Sequence, residues 1–239
     1  MSAILEVCAF NIQSCVIAAQ SGASRIELCD SPADGGTTPS YGLIKQAKAI
    51  LNIPVFPIIR PRGGSFLYDE NDIAIMMADI EMCKELGCEG ISIGAALQDG
   101  RIDVELMKQF VAAAAGMGVT CHRVFDLVPD PFEALEQLIG CGVKRVLTSG
   151  QKRTAMEGAA TLAKLVQWAN GRIIILAGGG VRAANIAELM VTSGVTEFHT
   201  AAKLTQPDIV PNEHPGILDI GAEFLSDANE LQKMVAQLM

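Results

Sequence analysis

Three short runs in this sequence repeat one pattern: a carboxylate, an apolar residue, then a thiol or an imidazole. They are Glu6-Val7-Cys8, Glu27-Leu28-Cys29 and Glu197-Phe198-His199. In an extended strand alternate side chains share a face. An unpaired carboxylate on a dry packing layer is costly. The acid and the third residue of each run are therefore expected on a polar face, with the middle residue in the apolar layer. Two chemistries suit that face. Glu27 or Glu6 as base with His122 or His199 as acid is a general acid–base set. Cys8 and Cys29, on adjacent strands about 4.8 Å apart and near the same height, could hold a soft, low-coordinate ion such as Cu(I). A tetrahedral zinc site needs four ligands, and no spacing here supplies them. The plain alternative is that the thiols are core filler and that Arg60 or Arg123 neutralises the acids in a structural network.

A second group of residues suits an anion. Ala177-Gly178-Gly179-Gly180-Val181-Arg182 follows one strand and opens a helix, and Thr200-Ala201-Ala202-Lys203 ends the next. Small residues let backbone N–H groups approach a phosphate, and a helix N-terminus favours negative charge. Gly178, Gly179, Gly180 and Ala201 are the candidate cradle, with Ser149 and its neighbours Lys152 and Arg153 as further donors. A tight strand-to-helix turn would account for the glycines without any ligand. The expected ligand is a copper ion or a small anionic molecule, and no organic cofactor is evident.

These residues need a scaffold, and the chain is punctuated at intervals of roughly thirty residues, the length of one βα unit. A helix-like segment ends in glycine, the residue that adopts the left-handed region most readily, and a short β-rich run follows. Six such runs begin near Arg25, Gly90, Val119, Arg145, Ile173 and Glu197. Ile4–Cys8 and Val55–Ile59 complete eight strands. Alternating strands and helices predict a parallel sheet, here a (β/α)8 barrel spanning residues 1–239 as one domain, with an open doubly wound sheet as the rival. Helices are expected over Asp69–Leu86, Asp103–Ala115, Ala184–Ser193 and Asp227–Leu238. Another starts at Asp130-Pro131, with Glu133 as its capping-box acid. Ser31–Ser40 and Thr200–Gly216, which holds His214, read as the long loops. Barrel chemistry sits at the carboxyl ends of the strands, where Arg60, Arg62, His122, Arg123, Asp126, Thr148 and Ser149 also fall. The fifth strand has two polar phases, Thr120/His122 and Cys121/Arg123, and its orientation stays open.

Composition narrows the setting. Half of the 239 residues are hydrophobic but only 5% are aromatic, which implies an aliphatic core. The net charge of −9 and the lack of a basic run argue against a nucleic-acid surface. Seven cysteines without a CxxC suit reduced thiols in a cytosol. No stretch has transmembrane length, and the start does not read as a signal peptide. The low charged content is consistent with a homo-oligomer, a dimer in the simplest case.

The motifs also resemble a known family. Glu6-Val7-Cys8, Arg25-Ile26-Glu27-Leu28-Cys29, Gly35–Ser40, Pro57–Gly64 (PIIRPRGG), His122–Asp126, Val146–Gly150 and Ala177–Asn185 resemble the copper homeostasis protein CutC family, over residues 4 to about 200. The resemblance implies a (β/α)8 barrel, a cytoplasmic home and a role in copper tolerance or trafficking. It also implies that Cys8 and Cys29 correspond to thiols proposed to bind Cu(I) in some members. The loop after His199 looks shorter than in some relatives.

Overall fold

The computed structural model describes residues 3–205 and 224–239, so His214 and the later part of its loop lie outside the described residues. Eight parallel strands form the barrel: β1 (Ile4–Ala9), β2 (Arg25–Leu28), β3 (Val55–Pro57), β4 (Gly90–Ile93), β5 (Gly118–Cys121), β6 (Arg145–Thr148), β7 (Ile174–Gly178) and β8 (Glu197–Thr200). Their order is β3-β2-β1-β8-β7-β6-β5-β4. The remaining seam, between β3 and β4, is closed by a parallel bridge between Ile58 and Ser92 and by Ile59 N–H donating to the Ser92 carbonyl at 2.8 Å. The sheet is a ring, and the open-sheet rival is excluded.

The helices are α1 (Ile12–Gln20), α2 (Tyr41–Ile50), α3 (Glu70–Glu85), α4 (Val104–Ala113), α5 (Pro131–Cys141), α6 (Ala159–Ala169), α7 (Ile186–Ser193) and α8 (Ala228–Ala236). Local chemistry sets their starts. Asn11, Asp69, Asp103, Asp130 and Asp227 each accept a first-turn backbone N–H through the side chain, a contact worth about 1 kcal/mol. Glu133 does not complete a capping box on α5; it accepts from Gln137 at 3.0 Å instead. Helix α5 ends on Gly142 at φ 85°, where a side chain would be strained.

Strand residues divide as the alternation predicts. Leu5, Val7, Ile26, Leu28 and Phe198 are buried against the helix layer, each contributing about 1.5–3 kcal/mol. Glu6, Glu27 and Glu197 are buried on the other face, in the lumen. The floor of the lumen is Phe56, whose ring lies between the guanidinium groups of Arg25 and Arg145, 5.2 and 5.5 Å from its centroid. Room for that ring comes from Gly90: a Cβ there would fall 2.1 Å from the ring and 2.4 Å from the Gly118 carbonyl. Gly90→Ala is therefore expected to cost about 1–3 kcal/mol through overpacking, read as a lower denaturant midpoint with an unchanged slope.

One feature differs from the sequence reading of residues 200–216 as a loop. β9 (Lys203–Thr205) pairs antiparallel with β10 (Phe224–Ser226) outside the barrel. Three-residue strands are too short for hydrophobic alternation to reveal. The ribbon is tied to α1, because Asn11 Nδ2 donates to the Phe224 carbonyl at 2.9 Å and Ser226 N–H donates to Ser14 Oγ at 3.1 Å.

Candidate functional site

The barrel register brings β8, β1 and β2 together. Glu6 lies opposite His199 on one side and Arg25 on the other. Cys8 lies opposite Glu27, so the two thiols are not level as the sequence reading had them. They meet diagonally, with Cys8 Sγ 3.6 Å from Cys29 Sγ. Cys29 Sγ is also 3.7 Å from Glu27 Oε2. Donor atoms of Cys8, Glu27 and Cys29 all lie within 4.8 Å of one another, and all three residues are buried. Ile58, Phe10 and Ala201 pack around the sulfurs.

His199 joins this cluster to the acids. Its Nδ1 is 2.8 Å from Glu6 Oε1, and its Nε2 is 3.7 Å from Glu27 Oε2. Burial opposes charge on Glu6, but His199 and Arg25 hold its carboxyl down at about 2. Burial pushes Glu27 up to about 8; the His199 charge opposes the rise and the neighbouring Cys8 and Glu6 charges add to it. The hydrogen bond with Cys29 brings Cys8 down to about 5 against the cost of burial, helped by His199. Cys29 moves the other way, because the shared proton stays on it. Burial disfavours the imidazolium of His199, but Cys8, Glu27 and Glu6 outweigh it and raise the group well above its ordinary value. These directions make Cys8 the more acidic of the two thiols and His199 a group that holds its proton more tightly than a free imidazole.

Glu6 and Glu197 are neutralised, but not by the arginines expected. Arg25 donates from Nη2 to Glu197 Oε2 at 2.7 Å and from Nε to Glu6 Oε2 at 2.5 Å. Arg145 donates to the same Glu197 oxygen at 2.8 Å. Arg60 is buried but serves backbone: its Nη1 donates to the Asp34 and Gly36 carbonyls and its Nη2 to that of Gly64. It clamps the β2 and β3 loops together. Arg62 pairs with Asp72. Arg123 pairs with Asp126 and donates from Nη2 to Ser149 Oγ at 2.9 Å. Arg25 and Arg145 were legible in principle, since Arg25 shares the alternation phase of Glu27 and Cys29.

Strand β5 resolves in favour of Thr120 and His122 in the lumen, with Cys121 in the helix-side core. His122 caps the 3-10 turn Arg123–Leu127, accepting from Val124 N–H through Nδ1. It lies against the Phe66 ring, with centroids 4.7 Å apart, away from the thiols. Burial, then the nearby Arg60 charge, push it down to about 3. The unfolded chain takes up this proton below about 6.5 while the folded one does not. Stability is therefore complete above that pH and falls as the pH drops, by up to about 1.4 kcal/mol per unit. His122→Asn, which keeps an acceptor for Val124, is expected to flatten that slope in denaturant melts at pH 7, 6 and 5.

Several lumen atoms find no partner among the described residues: Glu27 Oε1, Ser92 Oγ, Thr120 Oγ1 and His122 Nε2. Buried polar atoms left this way are uncommon in proteins. Ser92 was missed as a lumen residue in the sequence, because its strand neighbours of the same phase are Gly90 and Gly94; Thr120 belongs to one of the two phases left open on β5.

The glycine run falls where expected. Gly179 and Gly180 have positive φ, 104° and 70°, and line a pocket of about 250 Å³ with Arg123, Arg182, His199 and Lys203. Ala201 also lines it. Gly178 lies below, where a Cβ would strike Leu147 at 2.5 Å. Ser149 is fully buried, and its hydroxyl is engaged by Arg123, Asp126 and the Lys152 carbonyl. It supports Arg123 instead of facing the pocket.

The fold and this mouth define a (β/α)8 barrel protein with a buried thiol, imidazole and carboxylate cluster on its first, second and last strands. The chain belongs to the CutC family, whose model matches residues 3–204. It is 52% identical to the family protein CutC of Parabacteroides distasonis over 204 residues, covering 85% of this chain and 84% of that one. It is 45% identical to the human copper homeostasis protein cutC homolog over 203 residues, covering 85% and 74%. The crystal structure of the Streptococcus agalactiae CutC protein superimposes with a TM-score of 0.80 at 36% identity, covering 83% of this chain and 98% of that one. Among the described residues no helix is long and apolar enough to cross a membrane.

Proposed function

We propose that this copper homeostasis family member binds Cu(I) through Cys8 and Cys29, in a reducing cytoplasm. The observation that carries the reading is the pair of buried sulfurs 3.6 Å apart in the lumen. Soft thiolate ligands select Cu(I) over hard cations, and the low value of Cys8 supplies a thiolate at neutral pH. Glu27 and His199 stand behind the sulfurs and orient them, a role that commonly changes metal affinity about 10–100-fold. All seven cysteines are unpaired, which suits a reducing compartment. The test is a titration of the reduced, metal-free protein with Cu(I) against a competing chelator, beside Cys8→Ser/Cys29→Ser. One tightly bound ion, lost in the double variant, is expected. Binding indifferent to both thiols would reject the site.

A second reading, a barrel enzyme, draws on the chain Glu6–His199–Cys8, in which an acid orients an imidazole beside a thiolate. That arrangement has the logic of an activated nucleophile. Turnover of a small polar metabolite, abolished by Cys8→Ser and unaffected by copper chelation, would favour it over the copper reading.

A further inference from the structure

We propose that the pocket between the ends of β7 and β8 binds the phosphoryl group of a small molecule, independently of any metal on the thiols. The charge distribution is the first argument. The chain has 18 Lys and Arg against 27 Asp and Glu. Even so, Arg123, Arg182 and Lys203 converge on one pocket, and no carboxylate lines it among the described residues. Such a concentration of one sign raises the local concentration of anions.

Two of the three cations are also held in place. Arg123 is fixed from below by Asp126 and Ser149. The Lys203 ammonium lies over two rings, 4.6 Å from the centroid of Phe10 and 5.2 Å from that of Phe224. Fixed charges bind an anion with less loss of side-chain freedom than mobile ones.

Backbone shape is the second argument. Gly179 and Gly180 take positive φ at the pocket wall. A Cβ on Gly179 would come within 3.1 Å of Arg123 Nη1. Only glycine lets the backbone and the guanidinium approach one anion together.

Size is the third. A volume of about 250 Å³ falls just below the roughly 300–1,000 Å³ of whole-ligand pockets. It suits a headgroup, with the rest of the molecule reaching across the mouth. His199 lines the pocket and is 3.7 Å from Glu27, whose Oε1 is buried without a partner among the described residues. The body of the ligand would extend that way.

The test follows the backbone amides of Gly179 and Gly180 by NMR in metal-free protein. Inorganic phosphate and ribose 5-phosphate are the two probes, with sodium chloride at matched ionic strength as the control. Saturable shifts of both amides with either phosphate, absent with chloride, are expected. Tighter binding of the sugar phosphate identifies a phosphorylated metabolite as the ligand; equal binding identifies free phosphate. Arg182→Ala and Lys203→Ala should each weaken binding about tenfold or more, the loss of a charged hydrogen bond. Lys203 is exposed and Arg182 half-buried, and unchanged spectra elsewhere will show the variants folded. Cys8→Ser/Cys29→Ser should bind phosphate normally, which separates this site from the copper reading. No saturable shift, an equal response to chloride, or full binding in the Arg182→Ala/Lys203→Ala double variant would overturn the proposal.

Discussion

Arg25→Leu is expected to destabilise the protein by about 3–5 kcal/mol, the usual cost of removing one partner from a buried ion pair. The guanidinium bridges Glu6 on β1 and Glu197 on β8, and all three side chains are at least 94% buried. Without it, among the described residues, Glu6 keeps only His199 and Glu197 keeps only Arg145. Leucine fills part of the volume but leaves carboxylates facing an apolar floor beside Phe56. Such a loss is a large fraction of the stability of an ordinary domain. The measurement is chemical denaturation at neutral pH. Adding Glu6→Gln and Glu197→Gln to Arg25→Leu should recover part of the loss, because the uncompensated charges go. A loss below about 1 kcal/mol would mean that the cluster is solvated and behaves as a surface pair.

The second large effect concerns the thiols singly. Cys8→Ser and Cys29→Ser should each abolish tight Cu(I) binding, because a low-coordinate soft site has no spare ligand. Glu27→Gln, which changes a group behind the sulfurs, should cost only about 10–100-fold. The ordering matters more than the absolute values. Competition titration of the three variants, in one chelator and at one pH, gives it directly. If Glu27→Gln proves as damaging as either serine variant, the carboxylate is a ligand and not a support. Neither serine change should unfold the protein, since both replace a buried sulfur by a similar-sized group that retains hydrogen-bonding capacity.

The acids and thiols of β1, β2 and β8 could be oriented from sequence because one physical rule is strict there. A carboxylate cannot sit unpaired in the dry helix layer, so Glu6, Glu27 and Glu197 had one allowed direction, and Cys8, Cys29 and His199 followed by alternation. That rule failed on β5, where Thr120/His122 and Cys121/Arg123 are both polar phases, and only packing against Phe66 and the helix layer decides. The choice of counter-charges failed for another reason. Arg60 and Arg123 stand at strand ends in the sequence, close to where a ligand would be, and a long side chain can reach many partners. Backbone carbonyls of the Asp34–Gly36 and Gly64 loops capture Arg60, and loop paths are not encoded in periodicity. Arg25 and Arg145 carried a readable signal, since both alternate with lumen residues, but strand-start positions read as turn residues. The relative height of Cys8 and Cys29 depends on barrel stagger, which neighbouring strand patterns do not reveal.

The pairing of β1 with β8 has a consequence for how the chain is made. Arg25 and Glu197 are 172 residues apart. At a synthesis rate of roughly 5–20 residues per second, the first two strands leave the ribosome about 9–34 s before the strand that completes their ring. During that interval one flank of β1 is an open edge, the kind of surface on which growing chains join one another. Glu6 and Arg25 sit on that early pair of strands and oppose such joining, because charged side chains on a strand disfavour stacking against a second nascent copy. The Glu6–Arg25 pair that helps to lock the finished barrel therefore guards the unfinished one until its last strand arrives.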